Sequence, residues 1–430
     1  MSGLRVVVVG SGAREHALAW RLATEVGVAR VLVAPGNPLM TAVAEARPDV
    51  RADDFDGVVA LCRAERVDLV VVGQEAPLVA GLGDRLAAEG VACFGPSAAA
   101  AQLEGSKAFA REVCRAAGVP MAIGRAFASA RGAIEYAAEV GLPLVVKADG
   151  LAGGKGVTIC ATLGEAERAI REALEDGRFG AAGASVVVER FLTGREASVI
   201  AICDGTTALA LPAARDHKQL LDGDRGPNTG GMGAYSPLPD LPDARLGEIV
   251  AQVLEPVLAH MAARGTPFRG ALFCGLMLTA DGPRVLEFNV RLGDPETQAI
   301  VPRLTAPLAP VLLAAATGSL TGMPQIPTMP DTTVALTLAA AGYPASPRTG
   351  DEIRGIDDAR AAGALVFGAG VAQDDQGLLV TAGGRVLTVV GRGSDLAGAA
   401  DAAYEAAARI DFAGKVIRRD IGRAAAEVAA

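Results

Sequence analysis

Leu142-Pro-Leu-Val-Val-Lys-Ala-Asp-Gly-Leu-Ala-Gly-Gly-Lys-Gly-Val157 is the stretch on which the reading of the chain turns. An apolar strand ends on Lys147, and a loop of four glycines follows around a second lysine, Lys155. Glycine reaches positive φ without steric cost and brings backbone N–H groups close to an anion. Lysine adds the point charge that a polyphosphate needs. Downstream, Arg284-Val-Leu-Glu-Phe-Asn-Val-Arg291 answers it. A side-chain period of two puts Glu287 and Asn289 on one strand face and Leu286, Phe288 and Val290 on the other. Two oxygen donors on one face suit a hard cation such as Mg2+. Phosphate cradle and cation shelf together describe a nucleotide site. The loop is not of the Walker type. From Gly150 to Lys155 the spacing is one residue short, and Gly156 stands where a Ser or Thr hydroxyl should be.

Working outward, composition sets the class. The chain has 430 residues, 51% of them hydrophobic, enough for two to four domains with their own cores. No unbroken apolar run approaches the roughly 18 residues of a membrane span, so no membrane association is expected. Met-Ser-Gly-Leu-Arg5 leads directly into four valines and reads as the start of a first strand, not as a targeting segment. The six cysteines form no C-x-x-C pair, which fits single core thiols in a reducing cytoplasm. A net charge of −9 argues against a nucleic-acid partner. A few local cations still suffice for anionic small substrates. A cytoplasmic monomer is expected.

The first hundred residues alternate apolar runs (5–9, 30–34, 67–73, 91–94) with helical patterns, which predicts a doubly wound parallel sheet. Gly10-Ser-Gly-Ala-Arg-Glu-His16 imitates the dinucleotide motif G-x-G-x-x-G, but Glu15 replaces the third glycine. Ala34-Pro-Gly-Asn37 stands where an acid should hold a ribose. Both absences weigh against NAD or FAD. What remains is a turn through Gly10 and Gly12 into a helix N-terminus, with Arg14 beside it, suited to a phosphate monoester. Glu75 follows the third strand, at a carboxyl end where open sheets bind ligands.

From about 122 to 191 we expect a small α+β lid over the nucleotide. Glu189-Arg-Phe191-Leu192 would return to the body beside an adenine edge, and Glu196 would bridge ribose hydroxyls. Lys107 opens a helix before the lid. The polar, glycine-heavy run 215–236 reads as a loop kept for a site, since long structureless loops are uncommon in compact domains. A helix at 246–264 and a hairpin of 270–279 with 284–290 follow. The proline-rich text 323–330 reads as a linker. Strands at 333–340, 364–370, 378–381 and 385–391, then a helix at 396–410, form a closing α+β domain. Expected units are 1–103, 104–326 and 331–430.

At this point the text resembles the glycinamide ribonucleotide synthetases of the ATP-grasp superfamily, over essentially its whole length. The resemblance rests on Gly12-Ala-Arg-Glu-His-Ala-Leu-Ala-Trp20, Glu75-Ala-Pro-Leu78, Gln102-Leu-Glu-Gly-Ser-Lys-Ala-Phe109 and Asp216-His-Lys218. Most specific are Gly226-Pro-Asn-Thr-Gly-Gly-Met-Gly-Ala-Tyr-Ser-Pro237 and Gly293-Asp-Pro-Glu-Thr-Gln298. Departures are Gln74 for proline, Leu292 for phenylalanine, and Gly368-Ala-Gly370 where the closing domain usually carries a histidine. The resemblance implies a central ATP-grasp fold that joins glycine to 5-phosphoribosylamine, with ATP and Mg2+ or Mn2+, through an acyl phosphate. It implies Glu287 and Asn289 for the metal. ATP falls to Lys107, Lys147, Gly153, Gly154, Lys155, Gly156, Glu189, Phe191, Leu192, Glu196 and Asn289. Arg291, Lys147, Asp216 and Lys218 would be catalytic. Asn228, Thr229, Gly230, Arg291, Gly293 and Asp294 would hold glycine and the amine, and Gly10, Gly12, Arg14, Glu15 and His16 the sugar phosphate, with Glu75 on the sugar hydroxyls. Rival readings are a nicotinamide oxidoreductase, a nucleotide-sensing subunit, and another ATP-grasp ligase or carboxylase. The first leaves the glycine loop and the acidic strand without a task. The second need not keep the 226–236 and 291–298 runs, and the third differs in its acceptor loops.

Overall fold

The structure is a computed structural model and describes residues 3–423. Strand Leu4–Gly10 lies at the centre of a five-stranded parallel sheet. Val28–Pro35 and then Glu45–Ala46 lie on one side, Leu69–Val72 and then Ala92–Phe94 on the other. Its valines are buried on both faces. Val6 and Val8 belong to one core with Leu18 and Leu22, and Val7 and Val9 to another with Val58 and Leu86. Burial on both faces is what a run of consecutive valines specifies in a parallel sheet.

The central segment is built on an antiparallel sheet ordered Ala208–Ala210, Arg195–Asp204, Arg269–Thr279, Gly282–Asn289. The lid is a second antiparallel sheet ordered Gly124–Phe127, Val186–Arg190, Leu144–Ala148, Val157–Cys160, with helices Ala130–Val140 and Leu163–Leu174. It has a core of its own, from Ala133 and Ala137 through Val146 to Ile170 and Val188. Helical residues Asp243–Ala263 are long and apolar enough to cross a membrane by length and composition. Here their Ile249, Val253, Val257 and Met261 are buried in the main core. A π-turn over Val250–Leu254 comes just before Pro256, whose missing N–H cannot continue the usual ladder.

The closing sheet runs Arg215–Asp216, Gly233–Ser236, Thr332–Ala339, Arg385–Gly393, Leu365–Gly368, covered by helix Leu396–Arg409. Its first two strands come from the glycine-heavy run 215–236. That run is therefore not a loop. It supplies two sheet strands and, between them, a hairpin of Gln219–Leu221 with Arg225–Asn228. The expected linker is also tied down. Leu304 bridges to Thr328, Met329 N–H donates to the Arg303 carbonyl, and Ile326 is buried.

One expectation about the acidic strand is corrected. Gly275 pairs with Glu287 but the next residue, Leu276, pairs with Val285, so Leu286 is an extra residue in a β-bulge. Val285, Phe288 and Val290 face the core, and Leu286 joins Glu287 and Asn289 at the cavity wall.

Candidate active site

A cavity of about 690 Å3 opens where the first sheet, the lid, the central sheet and the closing sheet meet. The root of the glycine loop is anchored through Asp149. Its carboxylate accepts from Ala108 N (2.7 Å) and from the hydroxyls of Ser106 (3.0 Å) and Ser185 (2.8 Å). Lys107 Nζ donates to the carbonyls of Asp149 (3.4 Å) and Gly150 (3.2 Å). Gly153, Gly154 and Gly156 line the cavity. Lys155 does not; it is exposed at the loop tip and borders a smaller cavity of about 390 Å3 with Tyr343 and Arg385.

Lys147 Nζ bonds Glu189 Oε1 at 2.5 Å and the carbonyl of Leu286 at 2.9 Å, the carbonyl that the bulge frees from the ladder. Arg111 holds the other Glu189 oxygen at 3.0 Å. Glu189 therefore fixes two cations. Phe191 N–H is also spent, on the Pro143 carbonyl (3.3 Å), whereas Leu192 N–H has no partner among the described residues.

Lys218 Nζ reaches Glu287 Oε1 (3.4 Å) and Glu196 Oε2 (3.2 Å), so the carboxylate expected on a ribose is turned to a lysine. Burial would raise the Glu287 carboxyl, but Lys218, Lys147 and Lys107 together outweigh it and take it down to about 2. Burial lowers Lys107, with Lys147 adding to the effect. Asp216 accepts no side-chain hydrogen bond from the described residues. Burial pushes its carboxyl up, and Glu296, Glu196 and Glu287 add to the rise against Lys218. Asn289 Oδ1 accepts from Arg291 Nη2 (3.3 Å).

Arg291 is gripped by Glu75 (3.2 Å) and by Glu104 (3.1 Å). Glu104 escaped the sequence reading. Its second oxygen accepts from Val290 N (2.7 Å), and burial lifts its carboxyl to about 7. Glu296 escaped it too, a buried acid that accepts from Ser198 Oγ (2.9 Å). Arg385, from the closing sheet, donates to Asp294 Oδ2 (2.9 Å) and lines the cavity beside Asn228, Thr229 and Gly230. A lone glutamate has no spacing signature, but Glu296 lies within the 293–298 run, which did carry a signal.

The N-terminal turn is occupied by its own side chain. Glu15 accepts from Gly12 N (2.7 Å) and from Arg14 Nε (2.7 Å), so the N–H expected for an anion is capped. Gly12, Arg14 and Glu15 line the cavity, and Gly10 does not. A Cβ on Gly10 would lie 2.6 Å from Glu15 Cγ, so that glycine makes room for the carboxylate. His16 also lies outside the cavity: its Nδ1 accepts from Gly368 N (2.9 Å) and its ring meets Phe367 edge-on at 5.4 Å. Gly293 is a packing glycine, since a Cβ there would fall 2.4 Å from Glu296 Oε2.

Three family models match in order: the phosphoribosylglycinamide synthetase N domain over residues 4–104, its ATP-grasp (A) domain over 105–297 and its C domain over 333–424. The chain belongs to the phosphoribosylglycinamide synthetase family. Curated relatives include the phosphoribosylamine–glycine ligase of Caulobacter vibrioides, 47% identical over 98% of both chains. That of Phenylobacterium zucineum is 48% identical over 97% of this chain and 99% of its own. Among solved structures, the phosphoribosylamine–glycine ligase of Thermotoga maritima superposes with a TM-score of 0.84 at 34% identity, covering 97% of this chain and 100% of that one. A biotin carboxylase of Campylobacter jejuni, 17% identical, shares the fold with a TM-score of 0.71 over 98% and 94% of the two chains. For this member of the synthetase family, the doubly wound first domain and the ATP-grasp core expected from sequence are the observed architecture.

An ATP-grasp domain uses ATP with a divalent metal, and the residues present fit one. Glu287 and Asn289 offer hard oxygen donors to the cavity. Among the described residues no group of three or more His, Cys, Asp or Glu forms a complete cage. A cation that takes its other ligands from phosphate oxygens and water suits that donor set.

Proposed function

We propose that this chain ligates glycine to 5-phosphoribosylamine, with ATP giving ADP and phosphate, and that Mg2+ is the cation. The observation that carries this reading is the convergence of Lys107, Lys147 and Lys218 on Glu287 beneath the glycine loop. A carboxylate lacks a leaving group. A glycine oxygen therefore attacks the γ-phosphorus of ATP, ADP departs, and glycyl phosphate forms. The amine then attacks the acyl carbon, phosphate leaves, and the nitrogen loses a proton. The first step is chiefly positioning and charge neutralisation. Lys107 and Lys147 neutralise the phosphates, and Lys107 ties the glycine loop to them through the carbonyls of Asp149 and Gly150. Arg291, held by Glu75, Glu104, Asn289 and the Leu292 carbonyl, presents its one remaining N–H, on Nη1, to the glycine carboxylate. Asp216, raised by burial and by neighbouring acids, accepts the proton of the attacking amine. Glu287 and Asn289 would hold the metal, which would supply further positive charge for phosphoryl transfer.

Glycine labelled with heavy oxygen in its carboxylate tests the acyl phosphate. Each turnover should deliver one labelled oxygen to inorganic phosphate and leave the other in the amide. Label in AMP, or unlabelled phosphate, would replace this route with an adenylate and remove the roles given to Lys147 and Arg291.

A further inference from the structure

The lysines and Arg291 are committed to the nucleotide and glycine. Two other cations border the cavity where Ser11 and Gly12 of the first domain approach Ala369 and Gly370 of the closing domain. One is Arg14, and the other is Arg385.

Arg385 carries five N–H donors. Nη1 donates to the carbonyls of Gly230 (2.6 Å) and Asp294 (2.7 Å), and Nη2 donates once, to Asp294 Oδ2 (2.9 Å). Those bonds use the far end of the guanidinium. Nε–H and the second Nη2–H, which share one edge and point the same way, have no partner among the described residues. That edge is the fork that grips two oxygens of a phosphate.

Gly230 lets the chain lie close over the face of this guanidinium. A Cβ there would come within 3.1 Å of Cζ and 3.3 Å of Nε and Nη2. Asp294, the expected substrate contact, acts here as the anchor that fixes the arginine's plane, and Gln298 Nε2 steadies its other oxygen at 2.7 Å. Arg14 is buried, its Nε on Glu15 and its Nη1 on the Leu292 carbonyl (3.2 Å), with Nη2 unpaired among the described residues. A Cβ on the neighbouring Gly12 would lie 3.8 Å from Asp294 Oδ2, which brings the helix start and the Arg385 anchor together.

We propose that Arg385, by its Nε/Nη2 edge, and Arg14, by its Nη2, form the subsite for the phosphomonoester of the sugar-amine substrate. This rests on the ligase reading for the identity of the sugar and on the geometry alone for the phosphate. The closing domain then supplies a binding group for the acceptor substrate, in place of the Gly12 N–H that Glu15 has already capped.

Thermal melting of the full chain with ribose 5-phosphate, ribose, inorganic phosphate or ATP tests it. Ribose 5-phosphate should raise the melting temperature of the parent protein, and ribose and inorganic phosphate should not. Arg385→Gln should lose that shift and keep the one given by ATP. In turnover, KM for 5-phosphoribosylamine should rise about 10- to 100-fold, the loss expected of a hydrogen bond to a charged group, while KM for ATP and glycine stays within about twofold. Gly230→Ala should show the same selective loss, because its methyl would press on the guanidinium face and tilt the fork out of place, and Arg385→Lys should recover only part of the affinity. The proposal fails if ribose 5-phosphate does not protect the parent chain. It fails equally if protection survives in both variants, if inorganic phosphate protects as well, or if ATP protection falls in step. Absence of ADP release with glycine and the amine, alongside intact protection by ribose 5-phosphate, would sink the ligase reading and leave the subsite standing.

Discussion

Glu287 stands between three lysines, and the balance of charge at the nucleotide end depends on it. Because its carboxyl sits at about 2, it stays ionised at any working pH and is always available to a cation. Glu287→Gln keeps the shape and removes the charge. Turnover should fall about a hundredfold or more, the loss expected when a metal contact in phosphoryl transfer is removed. ATP-dependent stabilisation in a thermal melt would confirm that the variant is folded, and near-parental turnover at ordinary Mg2+ would remove the residue from the site. At this scale the sequence was an uneven guide. Lys147, Glu287 and Asn289 were legible because strand alternation and glycine spacing are local signals. Glu104 and Arg385 were not, because their partners Arg291 and Asp294 are distant in sequence and only folding brings them near. Gly10 and Gly293 were misread for a different reason. A glycine that admits an anion and one that admits a neighbouring carboxylate look the same in a sequence.

The lid behaves as an element because its core is separate from the main one. Its glycine loop takes positive φ at Gly153 and Gly154, and Gly154 approaches the Thr229 carbonyl across the cavity. We expect a loop so built to order over phosphates when they arrive. Amide hydrogen exchange over 149–156 should slow on adding ATP–Mg2+ or a non-hydrolysable analogue, while the lid helices Ala130–Val140 and Leu163–Leu174 change little. Exchange unaltered by nucleotide would make the loop a mere connector. The bulge at Leu286 shows the limit of period-two reasoning. The adjacent apolar pair Val285-Leu286 was the visible sign that strict alternation fails there, and the inserted residue is what frees a carbonyl for Lys147.

Across the whole molecule, the first and closing domains are joined through His16. Its Nδ1 already accepts the Gly368 N–H, and that bond is lost if the ring is protonated. Burial, with Arg360 nearby, holds its pKa down to about 3, below the ordinary value of 6.5. Above pH 6.5 both folded and unfolded chains carry a neutral ring and the joint costs nothing. Between 6.5 and about 3 the unfolded chain binds a proton that the folded one refuses, so stability falls by about 1.4 kcal/mol per pH unit from this group. His16→Gln, which can still accept from Gly368, should show a shallower loss of urea midpoint between pH 7 and pH 5 than the parent. Parallel slopes would mean that the ring is protonated in the fold. The joint was illegible because His16 lies in a run that reads as a phosphate turn, and its partner strand begins some 350 residues later.

The closing sheet was legible from Thr332 onward, to within a residue or two at each strand, but its outer strands were not. Two to four residues drawn from a glycine-rich run carry no periodic signal. That arrangement also has a consequence in time. On a ribosome, Gly233–Ser236 emerges roughly a hundred residues before Thr332–Ala339, the strand it must pair with, a delay of about 5–20 s at typical elongation rates. Through that interval the nascent chain exposes an unclaimed β edge, the kind of surface that draws other chains into aggregates. The prolines and glycines of 226–237 make this stretch a poor template for such pairing, so the composition that carries no periodic signal also favours safe synthesis.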